Sequence, residues 1–463
     1  MNPRLTLASS VVGAVIVALD GTVLTVAQPS LQRDLGASFA QVQWTSTGYL
    51  IAVASLLVFA GRLGDLPHSP KRGGTRGGTP IGHHRLFGIG MLGFGAASAG
   101  IAFAPGVGWV IGLRVVQGVF GALLQPATLG MLRTAFPPDR LRTPIAVRTA
   151  AIGVSAAVGP LLGGALVAGP GWRVVFLLNV VPALVLGSLA LTVRPPRTAS
   201  PARLDVPGAL LLALTLACLV HALVALPGWV WTASTAAVTG AAFVRHERRT
   251  ASPLLPPSVI GSTAVGSALG MLVAASAALS GALFAGTFLL QDTLGLDPFR
   301  SALVSLPLAA LMVAAAPTCA VLLRRVGARR TTAVAMTLLA LGILVLSRTP
   351  AIWLLCTAFA LVGAGFGTVM VAATHVVVRE AAVESAGVAG GLQQTAMNVG
   401  PVLGVAVTTA LLGTGAGPGL PLGVLAALAL AGAALGRALP GLREAAMNDH
   451  GDSKDRTRVP AQR

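Results

Sequence analysis

The sequence predicts an all-α polytopic membrane protein of fourteen transmembrane helices, built as two six-helix repeats flanking an extra central helix pair. Three observations carry this: composition, the alternation of basic loops, and an internal echo. Hydrophobic residues make up 54% of the 463 and charged residues only 10%, with mean hydropathy +0.82. Soluble domains carry about 25% charged residues, so composition alone assigns the chain to the membrane.

Apolar runs of about 17–25 residues can span a bilayer. Such runs fall at 7–29, 44–63, 86–105, 109–132, 145–168, 174–193, 207–225, 228–244, 262–291, 301–323, 331–348, 352–377, 387–412 and 419–439. The net charge of +18 would suggest nucleic acid in a soluble protein. Here the basic residues sit in short clusters between apolar runs, which is the orientation signal of a multi-pass protein, and no nucleic-acid partner is expected. With the N-terminus inside, 27 of the 32 lysines and arginines fall on the inner side of this map. The outer loops hold only Arg33, Arg173, Arg300 and Arg348, and Arg114 lies within a helix. Both termini are therefore expected in the cytoplasm, with the chain in the cell membrane.

The echo fixes the architecture. Val158–Leu166 (VGPLLGGAL) recurs as Val399–Val407 (VGPVLGVAV), identical at six of nine positions. Phe120–Thr128 (FGALLQPAT) recurs as Phe366–Thr374 (FGTVMVAAT). The offsets, 241 and 246 residues, nearly agree, which argues for one duplicated unit. The expected domains are a first bundle (1–193), the extra pair with its linkers (194–257), a second bundle (258–440) and a polar tail (441–463). Trp229 and Trp231 suit an interfacial belt at the start of the eighth helix.

The first helix carries Asp20, the one acid that this map places well inside the first bundle's hydrocarbon region. Intramembrane carboxylates are costly and point to a proton or a cationic substrate group. Arg114, five residues into the fourth helix, keeps its proton and would hold a carboxylate or tune it by charge. Gln117 shares its helix face. By the 246 offset their counterparts are Ala360 and Gly363, so duplicated packing does not account for the arginine. The fifth helix has Gly153, Gly159, Gly163 and Gly164 around Pro160. Gly159 and Gly163 share a face that lets another backbone approach, here expected to come from the other bundle. Gln28, Gln393 and Asn398 offer hydrogen bonds toward a substrate cavity. His221 and His375 read as packing residues, and His83 and His84 as loop. Cys218, Cys319 and Cys356 lie in apolar runs, so neither a disulfide framework nor a metal site is indicated.

Leu19-Asp20-Gly21-Thr22 continuing to Ala27-Gln28-Pro29 resembles the first-helix signature of the fourteen-helix drug:proton antiporters of the major facilitator superfamily. Leu113-Arg114 with Gln117-Gly118 resembles that superfamily's fourth-helix motif, and Gly153 with Gly159–Gly164 its fifth-helix antiporter motif. Trp172-Arg173 with Phe176, Asn179 and Pro182 is similar to the family's sixth-helix start. Gly61-Arg62-Leu63-Gly64-Asp65 resembles the start of the loop motif between helices two and three, but Pro67–Pro80 intervenes before Gly82 and Arg85 supply its end. Leu322–Arg330 (LLRRVGARR) is the second-half counterpart of that loop.

The resemblance implies a proton-coupled exporter of amphipathic small molecules such as drugs or antibiotics, working by alternating access. Its partners would be substrate, protons and lipid. It implies no enzyme activity and no cofactor, and the chain is expected to act as a monomer. The interrupted loop keeps one alternative open, a non-transporting sensor or scaffold. The charge map is directly testable. Reporter fusions after Arg203 and after Arg330 should report cytoplasm, and one after Pro227 the outside. A cytoplasmic signal after Pro227 would remove the extra pair and leave twelve spans.

Overall fold

The computed structural model describes residues 3–64, 82–137, 140–193, 205–224, 229–250, 262–348, 351–380, 386–413, 415 and 417–439. Among these the chain is helical, with no strand. The helices are α1 (Pro3–Leu35), α2 (Phe39–Gly64), α3 (His83–Ala102), α4 (Val107–Ala135), α5 (Arg142–Ala168), α6 (Trp172–Leu177), α7 (Val180–Leu191), α8 (Val206–Val224), α9 (Trp229–Glu247), α10 (Thr263–Phe288), α11 (Pro298–Leu346), α12 (Ile352–Glu380), α13 (Ala386–Leu412) and α14 (Gly419–Leu435). Ten stretches of the described helices are long and apolar enough to cross a bilayer, and shorter apolar stretches lie in α8 and α14. All fourteen segments assigned from hydropathy fall on helix. The insert Pro67–Pro80, Asp65, both linkers of the extra pair and the tail lie outside the described residues.

Two elements differ from the hydropathy map. The sixth span breaks at Leu178–Asn179 into α6 and α7. The tenth and eleventh spans are two helices, together labelled α11, joined at Gly327 (φ 79°, ψ 167°) within the segment where a longer loop was expected. A left-handed φ suits glycine, so one residue makes the turn that hydropathy assigns to a longer segment. Elsewhere local chemistry sets the ends. Asp297 Oδ1 accepts from the amides of Phe299 and Arg300 at 3.0 Å and caps α11, with Pro298 at its first position. Ser262 caps α10 in the same manner.

Each bundle has its own apolar core. One gathers Ile16, Val53, Phe87, Phe94 and Met131 from the first bundle. The other gathers Met271, Leu339, Phe359 and Leu425 from the second. A third cluster draws on both, joining Leu24, Leu31, Val42 and Phe176 to Phe284, Phe288 and Val405. It sits at the end of the molecule that also carries Arg33 beside Asp292 (3.7 Å) and the Asp34–Arg173 ion pair. The bundles meet through α5 on α11 and α2 on α13. The extra pair leans on the first bundle: α8 packs on α2 and also touches α13. His221 lies beside Trp44, with ring centroids 5.7 Å apart and planes tilted by 48°. Trp231, at the start of α9, is 81% exposed.

Glycine governs how closely helices pack, because in lipid there is little hydrophobic drive between them. On α13, the position of a Gly404 Cβ lies against the Ala277 backbone of α10 (Cα 2.9 Å), whereas that of a Gly153 Cβ meets nothing within 4 Å. Gly404→Val should therefore cost about 1–3 kcal/mol by overpacking, while Gly153→Ala should leave stability unchanged or raise it slightly. Thermal unfolding of the detergent-solubilised variants reads both, and equal effects would refute the assignment.

Candidate functional site

Asp20, from α1, lies at the centre of a buried polar knot that draws on α2, α3, α4 and the α6–α7 break. Arg114 of α4 donates from Nη1 to Asp20 Oδ2 at 2.5 Å and to Gln117 Oε1 at 2.6 Å. Gln117 Nε2 donates to Asp20 Oδ1 at 3.1 Å and to Ser98 Oγ of α3 at 2.7 Å. Asn179 Nδ2 donates to Asp20 Oδ1 at 3.2 Å. Arg114 is completed by α2: its Nε donates to the Thr45 carbonyl at 3.0 Å, and its guanidinium lies 4.3 Å from the Tyr49 ring centroid. Arg114 is 1% exposed and Asp20 3%, so the arginine does not snorkel to the membrane surface.

The sequence explains why these groups converge. Gly118 follows Gln117, and a Cβ there would meet the Tyr49 carbonyl at 2.5 Å and Ala52 at 2.9 Å. Its absence lets α4 press onto the α2 backbone and brings Arg114 to Thr45. Asn179 stands at the break between α6 and α7, which turns its side chain into the bundle rather than along a continuous helix face. Three N–H donors address the two oxygens of Asp20, the complement of a carboxylate anion. A buried ion pair of this kind offsets its desolvation only while both partners remain charged and hydrogen-bonded. Chemically, the site can hold one charge state tightly and resist the other.

The remaining candidates separate into groups. Gln28 Nε2 donates to Ser46 Oγ at 2.9 Å, and Gln393 Nε2 to Thr374 Oγ1 at 2.7 Å, each within its own bundle. Gln28 Oε1 and Asn398 Nδ2 are buried with no protein partner, as is Oε1 of Gln291. Such groups are rare in proteins and need an explanation. Of the loop motif, Gly61 faces Pro126 at an ordinary 3.6 Å, Gly82 is the N-cap of α3, and Arg85 lies in its first turn. Arg62 lies in α2.

The fifth-helix motif corrects one expectation. A Cβ on Gly159 would collide with Thr22, and one on Gly163 would meet Val23 at 2.8 Å, so both glycines pack against α1 of the same bundle. The inter-bundle contact belongs to Gly164, whose Cβ would meet the Pro298 carbonyl at 2.7 Å and Phe299 Cα at 3.0 Å, both in α11. Pro160 lies within α5, between the two glycines that pack on α1.

Sequence reasoning did not bring Ser98, Asn179, Thr45 or Tyr49 to this site. Tyr49 is the only tyrosine in the chain, and Asn179 stands out in an apolar run; both were available signals. Ser98 and the Thr45 carbonyl carried none.

The major facilitator superfamily model matches residues 11–405 and, separately, 270–461. The chain belongs to the major facilitator superfamily. Among its relatives, the tetracenomycin C resistance and export protein of Streptomyces glaucescens is 38% identical over 430 residues, covering 90% of this chain and 77% of that one. A puromycin resistance protein of Streptomyces alboniger is 35% identical over 416 residues, covering 87% and 80%. Among solved structures, a bacterial homologue of the lysosomal transporter Spinster, inward-facing and unoccupied, superposes with TM-score 0.62 at 16% identity, covering 94% of each chain. The fold is that of this superfamily, and the chain is a multi-pass membrane transporter of small molecules.

Gly164 sits where the bundles touch, so a side chain there should wedge them apart. With Cys218, Cys319 and Cys356 replaced and Val405→Cys introduced in the shared cluster, Gly164→Leu should speed maleimide labelling severalfold. Gly163→Ala should leave labelling near its starting rate, because its contact lies within one bundle. Unchanged labelling in Gly164→Leu would show that this contact does not close the molecule.

Proposed function

We propose that this protein is a proton-coupled exporter of amphipathic small molecules such as antibiotics, in which Asp20 carries the proton and Arg114 is its counter-charge. The observation that carries the reading is the 2.5 Å Arg114–Asp20 pair, buried in a membrane bundle and unmatched in the second repeat. The names of the relatives, one a resistance and export protein and the other a resistance protein, support the substrate class.

A proton arriving at Asp20 neutralises the carboxylate and leaves the guanidinium with Gln117 Oε1, the Thr45 carbonyl and the Tyr49 face. The α1–α4 contact then loses its strongest bond, and a two-state bundle shifts toward the arrangement that tolerates the loss. α1 is the helix on which Gly159 and Gly163 rest, and α5 reaches α11 through Gly164. The proton state of Asp20 is thereby coupled to the seam between bundles. The shared cluster supports a state closed at the Asp34 end; in this reading that end is the outer one, both termini lie inside, and the chain is a monomer in the cell membrane. Gln28, Gln291 and Asn398, with their unpartnered polar atoms, are the groups assigned to substrate. Substrate release resets the pair, so proton entry drives export.

Reconstituted in vesicles with an imposed pH gradient, Asp20→Asn should abolish gradient-driven efflux while expression and folding persist. Arg114→Lys should lose most of it as well, because one ammonium does not reproduce the guanidinium's contacts. Wild-type efflux from folded Asp20→Asn would reduce the pair to a structural role.

A further inference from the structure

Two grooves flank the kink of α11. Beyond Gly327 the helix restarts with Arg329 and Arg330 in its first turn. The last turn of the second bundle, Gly436–Ala438, packs onto the same place: a Cβ on Gly436 would lie 3.2 Å from Thr332 Oγ1 and 4.0 Å from the Arg329 carbonyl. Its Arg437 thus joins Arg329 and Arg330 around one cavity of about 380 Å³, whose other wall is Leu430, Ala433 and Ala434. A second cavity, of about 280 Å³, opens on the other side of Arg330 and is walled by Leu322, Val326, Val334 and Leu338. Two largely apolar grooves therefore meet at one arginine, and two more arginines stand beside it. Among the described residues, no acid forms an ion pair with any of the three.

We propose that this is a binding site for one anionic diacyl phospholipid, with the phosphodiester between Arg329, Arg330 and Arg437 and one acyl chain in each groove. Charge complementarity selects the headgroup, since basic side chains at this level attract anionic lipid. The aliphatic walls and the two-sided layout select a diacyl lipid over a soluble anion, which would use the arginines and leave both grooves empty. The helix that starts at Ala328 also points its positive end at this level of the membrane. Basic loop placement alone accounts for arginines at a helix end, but not for paired apolar grooves on either side of one of them.

The full chain, equilibrated with equimolar phosphatidylglycerol and phosphatidylcholine in mixed micelles, should retain one phosphatidylglycerol in native mass spectrometry, with a preference of about fivefold or more. Arg329→Gln/Arg330→Gln/Arg437→Gln should bring the two lipids to parity. Should that variant not fold, Arg437→Gln, on an exposed turn, should lower the preference by itself. Ala434→Trp fills a groove while keeping every charge, and should also lose the lipid. Arg245→Gln/Arg248→Gln/Arg249→Gln, which removes as much charge near the end of α9, should retain it. Equal loss in that control would mean a general cationic surface and overturn the proposal. Displacement of phosphatidylglycerol by excess glycerol phosphate, with Ala434→Trp unaffected, would mean a soluble-anion site and also overturn it. So would an intact chain with no preference, as expected if the acidic residues of its own tail fill the groove.

Discussion

The buried pair of Asp20 and Arg114 is the constraint around which the first bundle is arranged. A guanidinium and a carboxylate removed from water each carry a desolvation penalty of several kcal/mol, which their attraction offsets only with good geometry and further hydrogen bonds. Three elements of the bundle supply those bonds, Gln117 from α4, Asn179 from the α6–α7 break and the Thr45 carbonyl from α2, and the Tyr49 ring of α2 lies against the guanidinium. α3 contributes Ser98, which holds Gln117 and Asn179 in place. The break in the sixth span is part of the same arrangement, since a continuous helix would carry Asn179 elsewhere.

The second bundle repeats the helices but not the charge. At the position matching Gln117 by the internal offset stands Gly363, where a Cβ would run into the backbone of Leu308 in α11. Side-chain chemistry in the first bundle is thus replaced by backbone contact in the second. In the proposed mechanism the first bundle would answer to protonation of Asp20, and the second is packed tightly enough to respond as a body. Gly281, Gly342, Gly363, Gly365 and Gly404 each bring a neighbouring helix to within a Cβ of contact, which favours concerted motion over local bending.

α5 links the two. Its glycines divide their work between α1 and α11, with Gly159 and Gly163 on one and Gly164 on the other. A helix held on both sides by close approach transmits a shift of α1 to the seam without needing any polar group of its own. In the proposed mechanism the cluster around Phe284, Phe288 and Val405, at the Asp34 end, is the apolar closure that would open as the bundles rock.

Much of this was legible in the sequence. Hydropathy placed every span, because a bilayer demands apolar length and internally satisfied backbones. The echo at nearly constant offset pointed to a repeat, and cost alone marked Asp20 and Arg114 as exceptional. Three things required the tertiary structure. The partner of Gly159 and Gly163 proved to be α1, since a small-residue face specifies that a backbone comes close but not which one. Ser98, Asn179 and Tyr49 joined the site because hydrogen-bond partners distant in sequence are chosen by how helices are rotated against one another, and no local pattern encodes that rotation. The α11 kink, too, reduced an expected loop to Gly327, where a single left-handed residue does what hydropathy spreads over several. The sequence placed the apolar spans and marked Asp20 and Arg114 as intramembrane charges; packing decided what each of them touches.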